Sequence, residues 1–192
     1  MSTNKNSLTY IIQNIVVKLE LNRDLNLNKI GNCLSNCNYN PNRFPGLFLR
    51  IRAPKSVLIM FRSGKIILTG IKIFNDIDSV LEYLIIQLNH DDLLNGTLFK
   101  QDFKIKVVNI VITADLNNKI DLDLASLILE NAIFEPEVFP GLIYKHYDPV
   151  KSTFLIFSTG RLVFTGIDRK EVIEPCLISI GRLLKDRGLF KG

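Results

Sequence analysis

The sequence predicts an α+β fold in which two pseudo-symmetric repeats form one antiparallel sheet with helices on one side. Residues 44–72 return about 95 residues later as residues 139–168, and an internal repeat decides architecture before any local pattern does. Each copy reads as several short strands followed by a long amphipathic helix, which favours an antiparallel sheet with helices on one side. Two copies are too few for a solenoid, so we expect a single saddle or sandwich with an approximate twofold axis.

The repeat is marked by landmarks that both copies share. Each copy begins Phe-Pro-Gly-Leu, ends Thr-Gly-Ile and places a Phe shortly before a hairpin Gly. Asn-Ile-Val at residues 14–16 returns at residues 109–111, while Val150 is an extra residue in the second copy. We therefore expect a short polar N-terminal tail at residues 1–9, a first repeat at 10–100 and a second repeat at 101–192.

Alternating and helical apolar spacings predict the elements of the first repeat. Strands are expected at residues 10–19, 46–53, 56–62 and 65–72. Leu27, Ile30 and Leu34 indicate a short helix, which Asp24 is expected to cap, and residues 36–44 read as a turn-rich connection. A long amphipathic helix is expected from Ile77 to Leu88.

The second repeat is predicted to follow the same order. Strands are expected at residues 104–114, 142–148, 153–158 and 161–167, with helices at 121–130 and 169–187. Pro175 lies inside the last helical pattern, where it should kink the helix or delay its start, because proline lacks an N–H and clashes with the preceding turn.

Composition excludes several classes of protein. Apolar content of 47% with 22% charged residues argues against disorder, and no apolar run is long enough for a transmembrane helix. The first nine residues are polar and lack the apolar core of a signal peptide. The net charge of +5 favours a polyanionic partner.

Neither a metal centre nor an active site is predicted. Cys33, Cys37 and Cys176 have no matching Cys/His pair, while His90 and His146 stand alone, so we expect buried thiols in a reducing compartment. The sequence shows no carboxylate pair, nucleophile–base set or phosphate-binding loop. We therefore expect no catalytic residue, no cofactor and no enzymatic activity.

The strands predict an apolar sheet surface that the helices leave uncovered. Val57, Ile59 and Phe61 face one side of their strand, whereas Leu58 and Met60 face the other, and the second copy repeats this pattern. Two long helices can cover only one of two apolar faces, and exposed apolar patches mark interaction sites. Basic residues lie near its rim: Arg43, Arg50, Arg52, Lys55, Lys65, Lys145, Lys151 and Arg161. An apolar face with a basic rim suits a nucleic acid.

The motifs resemble those of the TATA-box-binding protein family of general transcription initiation factors. The matching strings are QNIV at 13–16, YNPNRF at 39–44, SGK…TG at 63–70, EPEVFPGLIY at 135–144 and TGRLVFTG at 159–166. The resemblance covers residues 8–190 and is of the eukaryotic type, which implies a nuclear location.

The resemblance implies a ten-stranded saddle, one curved antiparallel sheet with helices on the convex side. It also implies a monomer that binds and bends TATA-box DNA through its minor groove. The implied intercalating wedges are Phe44, Phe61, Phe139 and Phe157. The implied minor-groove contacts are Asn14, Val16, Ile59, Ile67, Thr69, Asn109, Val111, Leu155, Val163 and Thr165. The implied phosphate contacts are Arg43, Arg50, Lys55, Lys65, Lys145 and Arg161. Asparagine and threonine can hydrogen-bond the acceptors that A·T pairs show in this groove, while apolar side chains would clash with the guanine amino group.

Protein partners are implied as well. Glu135, Glu137 and Val138 match the loop with which the family contacts transcription factor IIB, and the protein would then nucleate the preinitiation complex. Factor IIA and other preinitiation factors are further implied partners. The first long helix departs from the family pattern, because it carries Asp76, Asp78 and Glu82 and no basic residue occurs at 73–99. This departure bears on contacts with factor IIA and negative cofactor 2.

Two other interpretations keep a sheet-based binding role. A divergent paralogue would act mainly as a protein-interaction platform with an altered DNA preference. An RNA-binding sheet would need exposed rings in the middle of its strands, whereas the Phe residues here lie at strand ends.

Overall fold

The computed structural model describes residues 9–90, 93–94 and 96–191. Of the predicted tail at residues 1–9, residues 1–8 lie outside the described residues. Within the described ranges, no helix is both long and apolar enough to cross a membrane. The chain divides into two compact units, one holding Asn14–Val108 and the other holding Asn109 onward together with the strand residues up to Gln13.

The Asn14–Val108 unit is an antiparallel sheet with two α-helices. Its strands pair in the order β2-β3-β4-β5-β1. Their bounds are β1 Tyr10–Leu21, β2 Cys37–Asn38, β3 Leu47–Ile51, β4 Ser56–Met60 and β5 Lys65–Ile71, and the helices are α1 Leu27–Cys33 and α2 Asp76–Asn89. A single 3-10 turn at Lys100–Asp102 precedes the next strand.

The other unit repeats this arrangement. Its strands pair in the order β6-β10-β9-β8-β7. They are β6 Phe103–Asp115, β7 Ala132–Ile133, β8 Leu142–His146, β9 Ser152–Ile156 and β10 Arg161–Ile167, with helices α3 Leu122–Ile128 and α4 Ile173–Asp186.

Alternation along the strands separates a buried face from a half-exposed one in each unit. In β4, Leu58 and Met60 are fully buried, whereas Val57 and Ile59 are half-buried. In β9, Phe154 and Ile156 are likewise fully buried. Each long helix buries its own apolar stripe: Val80, Leu81, Leu84 and Leu88 in α2, and Ile173, Cys176, Leu177, Ile180 and Leu184 in α4. The core of each unit is therefore formed by one sheet face and the helix stripe.

Two details of the helices differ from the sequence prediction or refine it. The N-cap of α1 is Asn26, whose side chain accepts from the Lys29 N–H, so the prediction of Asp24 is wrong. Asp24 lies one residue before the buried Leu25, too far upstream to reach the first turn. In α4, Pro175 lies in the first turn, where the missing N–H has no helical partner in any case, so proline delays the start and makes no kink.

The two shortest strands were not predicted. Residues 36–44 were expected to be a connection, yet Cys37 and Asn38 form β2 against β3, and Ala132 and Ile133 form β7 against β8. Two-residue strands carry too little alternation to stand out from a turn.

Candidate nucleic-acid interface

The minor-groove residues expected from the resemblance lie on the half-exposed sheet face of their own unit. All ten are half-buried: Asn14, Val16, Ile59, Ile67, Thr69, Asn109, Val111, Leu155, Val163 and Thr165. Strand register brings several together, since Ile59 pairs with Ile67 and Leu155 pairs with Val163. Each unit thus presents an apolar strip from its central strands.

Two phenylalanines meet at the outer end of this strip in the Asn14–Val108 unit. The rings of Phe44 and Phe61 are 6.0 Å apart with an interplanar angle of 62°, and Phe44 is 38% exposed. The backbone of Phe61 is held in the hairpin, because it donates to Lys65 O at 2.9 Å and accepts from Gly64 N–H at 3.0 Å. The rings are therefore presented from a rigid turn.

The other unit contains a pair with nearly the same geometry. The rings of Phe139 and Phe157 are 5.9 Å apart at 65°, and Phe157 is held by Arg161 O and Gly160 N–H. The two predicted phenylalanine pairs therefore have the same local geometry.

Sequence reasoning missed the glycine beneath each pair. A Cβ on Gly46 would lie 2.6 Å from the Phe44 ring and 3.2 Å from Phe61. A Cβ on Gly141 would lie 2.8 Å from Phe139 and 3.1 Å from Phe157. The repeated Phe-Pro-Gly was the available signal, since any larger residue would push the two rings apart.

A β-bulge explains the repeated Thr-Gly. Register shifts between Ile15 and Val17 of β1, and between Phe164 and Ile167 of β10, insert one extra residue at Thr69-Gly70 and at Thr165-Gly166. Gly70 and Gly166 have φ of +94° and +92°, a conformation that favours glycine. The bulge releases the glycine N–H from the ladder.

The freed glycine N–H orients the asparagine that occurs at the same position in both repeats, Asn14 in one unit and Asn109 in the other. Gly70 N donates to Asn14 Oδ1 at 2.8 Å, and Gly166 N donates to Asn109 Oδ1 at 3.0 Å. A main-chain N–H can only donate, so the contacted atom must be the amide oxygen. Thr69 and Thr165 donate to the same oxygens, at 3.3 and 3.0 Å. Nδ2 of Asn14 also donates one hydrogen to Thr69 Oγ1, at 3.1 Å. An amide NH2 carries two hydrogens, so with its oxygen engaged each asparagine still has an N–H that can be donated to a ligand on the exposed face.

The six predicted phosphate contacts are all exposed, but their electrostatic surroundings differ. They are Arg43, Arg50, Lys55, Lys65, Lys145 and Arg161. Arg161 Nε lies 3.7 Å from Asp115 Oδ2, and Lys65 pairs in register with Glu20. The carboxylate of Glu20 is itself ion-paired with Lys18, so a polyanion would have to compete with a carboxylate for Arg161 but not for Lys65.

The expected protein-contact loop is exposed and internally fixed. Glu135 and Glu137 are exposed, and Val138 is 80% exposed. Both Val138 N and Phe139 N donate to Glu135 O at 2.9 Å, which closes the loop as a turn. The corresponding turn in the other unit is closed by Arg43 N and Phe44 N on Asn40 O.

The thiols do not form a metal centre in the described part of the chain. No group of three or more His, Cys, Asp or Glu side chains there lies close enough to hold a metal ion. Cys176 is buried and Cys37 half-buried, but Cys33 is exposed, so the expectation of three buried thiols is wrong for Cys33. Helix α1 buries Leu27 and Ile30 and turns Cys33 away from the core. Burial raises the pKa of Cys37 to about 11.

Comparisons with known proteins agree with this geometry. The profile of the family described as transcription factor TFIID (or TATA-binding protein, TBP) matches residues 9–90 and 104–186. The TATA-box-binding protein of Pyrobaculum islandicum is 37% identical over 182 residues, covering 95% of this chain and 89% of that protein. That of Pyrodictium occultum is 37% identical over 174 residues, covering 91% and 85%.

A solved structure gives the same result at the level of the fold. The TBP of Methanococcus jannaschii superposes with a TM-score of 0.81 at 35% identity, covering 92% of this chain and 98% of that one. These findings confirm the resemblance and the predicted fold class. The organisms named are archaeal, so the eukaryotic type and the nuclear location stay predictions.

Proposed function

Since the chain belongs to the transcription factor TFIID (TATA-binding protein) family, we propose that it is a general transcription initiation factor that binds A·T-rich promoter DNA through the minor groove and bends it. The observation that carries this proposal is the doubled donor site, in which a glycine bulge fixes the amide of Asn14 and again that of Asn109. Two oriented donors on an apolar face match the chemistry of A·T pairs.

Base discrimination follows from that chemistry. In the minor groove A·T pairs show only the acceptors adenine N3 and thymine O2, while guanine adds an amino donor. Nδ2 of each asparagine donates to the acceptors. The apolar strip around Ile59, Val163 and their neighbours has no acceptor for a guanine amino group, so burying that group there is costly.

Bending follows from the aromatic pairs. The Phe44–Phe61 and Phe139–Phe157 rings insert between base steps at the two ends of the site, and the unstacking is offset by the additional surface that bent DNA contacts. Arg43, Arg50, Lys55, Lys65, Lys145 and Arg161 hold the phosphates and make binding salt-dependent. The DNA complex contains one copy of the chain.

The experiment that tests this function is a competition assay. Binding to a TATA duplex is measured by fluorescence anisotropy, with a scrambled and a G·C-rich duplex as controls. A small ligand that occupies the A·T minor groove should displace the protein, while changes to major-groove methyl groups should have little effect. Binding that is lost only on major-groove changes would place the DNA on the wrong side of the protein.

A second candidate function has one observation in its favour. The exposed side of α2 carries Asp78 and Glu82. Asp78 is paired with Lys100 Nζ at 2.7 Å, whereas Glu82 has no ion-pair partner among the residues that the structure describes. An acidic helix face favours a divergent paralogue that acts mainly through protein contacts. Equal affinity for TATA and G·C-rich duplexes would support this paralogue instead of the initiation factor.

A further inference from the structure

A groove at the outer end of the Asn14–Val108 unit extends beyond the Phe44–Phe61 pair. It measures about 460 Å³ and is lined by Asn40, Arg43, Phe44, Phe48 and Arg50, with Asn38 of β2 at its outer side. Phe48 pairs with Ile59 across β3 and β4, which places it on the half-exposed sheet face. The groove therefore continues the face that we propose binds DNA.

The floor of the groove is aromatic and its rim is cationic. The ring of Phe48 lies 5.3 Å from that of Phe44 at an interplanar angle of 36°, so three rings cluster at this end of the unit. Arg43 and Arg50 are exposed, and within the described residues neither takes part in an ion pair. A ring beside two available guanidinium groups matches a nucleotide, since base or sugar packs on the ring and phosphate binds arginine.

The corresponding positions of the other unit have different chemistry. Ile143 stands where Phe48 stands, Val138 where Arg43 stands, and Glu135 where Asn40 stands. Only Lys145 remains as a cation, in the place of Arg50. The corresponding positions of that unit therefore lack both the third ring and the second guanidinium, and they include a carboxylate that repels phosphate.

We propose that this groove is a subsite for the nucleotide that flanks the A·T core, and that the chain has such a subsite at one end only. The inference rests on the proposed DNA-binding function. Arg43 binds the outermost phosphate, and Phe48 packs against the sugar or base attached to it. The protein then contacts one nucleotide more at the end held by Phe44 than at the end held by Phe139.

The test uses duplexes that carry a neutral methylphosphonate in place of one phosphate on each side of the A·T core. Both sides are changed in the same duplex. Neutralising both ends makes the result independent of the orientation in which the protein binds. The measured quantity is the slope of log K against log salt, to which each phosphate contact adds about 0.9. For the wild-type chain, the magnitude of the slope should decrease by about 0.9 when one particular flanking position is neutralised, because only one of the two changed phosphates is contacted by the protein.

Two reciprocal variants give the matched controls. In Arg43→Val, which introduces the residue found at the other end, neutralisation should no longer change the slope. In Val138→Arg, the change should double to about 1.8, because both ends then hold a phosphate. A full change of slope that persists in Arg43→Val would overturn the subsite.

The contribution of Phe48 is tested separately by duplex length. Phe48→Ile should weaken binding to a duplex with flanking pairs about threefold or more and leave a duplex cut at the core boundary unaffected. Ile143→Phe should strengthen binding to the flanked duplex. Equal losses on both duplexes would overturn the role of Phe48. Failure of the wild-type chain to bind the unmodified duplex would overturn the proposed function together with this inference, whereas the outcomes above concern the subsite alone.

Discussion

At the scale of single residues, the amide of Asn14 can be tested by an isosteric change. Asn14→Asp keeps the oxygen that accepts from Gly70 N–H but replaces the donor Nδ2 with a second acceptor. We expect unchanged thermal stability and a loss of A·T duplex binding of about 1–3 kcal/mol, because the new oxygen faces acceptors in the groove. The measurement is anisotropy, beside a melting curve.

The matched control is Asn75→Asp, which adds the same charge at the start of α2, away from the sheet face. Asn109→Asp should reproduce the effect of Asn14→Asp, since its amide oxygen accepts from the corresponding threonine and glycine. A loss of binding in the control as large as that in Asn14→Asp would mean that overall charge, and not the donor, is responsible.

His146 predicts a dependence of stability on pH. Its ring is 6% exposed, lies against Tyr144 and Phe154 and bonds Ser179 Oγ at 3.0 Å through Nε2, while Ser179 bonds Asp148. Burial lowers the pKa of His146 below its ordinary 6.5, against a smaller opposing effect of Asp148. The unfolded chain therefore takes up a proton more readily than the folded protein.

The contribution of His146 to stability is therefore fully present above pH 6.5 and decreases as the pH falls below it. His146→Ile, which introduces the residue of the other repeat (Ile51), should flatten the decline of melting temperature between about pH 7 and 5.5. Parallel profiles for wild type and His146→Ile would show that other groups cause the decline.

At the scale of elements, the bulge at Thr69-Gly70 is predicted to be required for both stability and binding. In Gly70→Ala the new Cβ would lie 3.3 Å from Ser56 Cα at a φ of +94°. Such a backbone costs an L-residue about 1–3 kcal/mol, and relaxing it would move the N–H that holds Asn14. Chemical denaturation measures the free energy of unfolding, and anisotropy measures DNA binding.

Gly181→Ala provides the control substitution in α4. A Cβ there meets nothing closer than 3.9 Å, so alanine should stabilise the helix by up to about 1 kcal/mol. If Gly70→Ala were as well tolerated as Gly181→Ala, the bulge would not constrain the site.

The two faces of the hairpin strands are predicted to respond differently to substitution. Phe61→Ala and Phe157→Ala should weaken DNA binding and bending while leaving the fold intact, because these half-exposed rings lie outside the core. Met60→Asp and Ile156→Asp should unfold the protein, because both side chains are fully buried and an unpaired carboxylate there is costly. Melting curves and a gel-based bending assay distinguish the two sets. If the two alanine variants lost as much melting temperature as the two aspartate variants, the buried and exposed faces of these strands would be wrongly assigned.

The elements show which parts of the fold could be predicted from sequence. Period-two alternation placed β5 and β10 within a residue of their observed bounds, because seven residues give several alternations. It missed β2 and β7, which have two residues each. The cap of α1 was misplaced because Asp24 and Asn26 are both good N-caps, and only the position of the buried Leu27 decides between them.

The sequence predicted which residues share the half-exposed sheet face, but not the contacts that hold them. Repeated Asn, Thr-Gly and Phe-Pro-Gly located the residues, yet no sequence pattern states that Gly70 N–H fixes the amide of Asn14 or that Gly46 lies beneath two rings. Both facts depend on contacts between segments distant in the chain. The third ring, Phe48, was passed over because it follows the motif and does not repeat.

At the scale of the whole molecule, the two repeats share a backbone design and differ in charge where partners would bind. The turn at Glu135–Phe139 and the turn at Asn40–Phe44 are closed by the same pattern of hydrogen bonds. The first carries two carboxylates and the second carries Arg43. A protein partner can therefore distinguish two turns that share one backbone pattern by their charge, and we predict that factor IIB is such a partner.

The last prediction concerns this partner. Glu135→Arg together with Glu137→Arg should abolish the ternary complex with transcription factor IIB on TATA DNA while leaving DNA binding unimpaired. Both carboxylates are exposed, and Pro136 stiffens the turn, so they are presented at little ordering cost. Reversing two charges at an interface creates a repulsion worth several kcal/mol, while the loss of two carboxylates removes no attractive contact with DNA. A gel shift with DNA, protein and factor IIB measures the complex. The matched control is Glu171→Arg plus Glu174→Arg, an exposed pair near the start of α4, which should leave the complex intact. A ternary complex of wild-type strength in the Glu135/Glu137 variant would remove this turn from the interface.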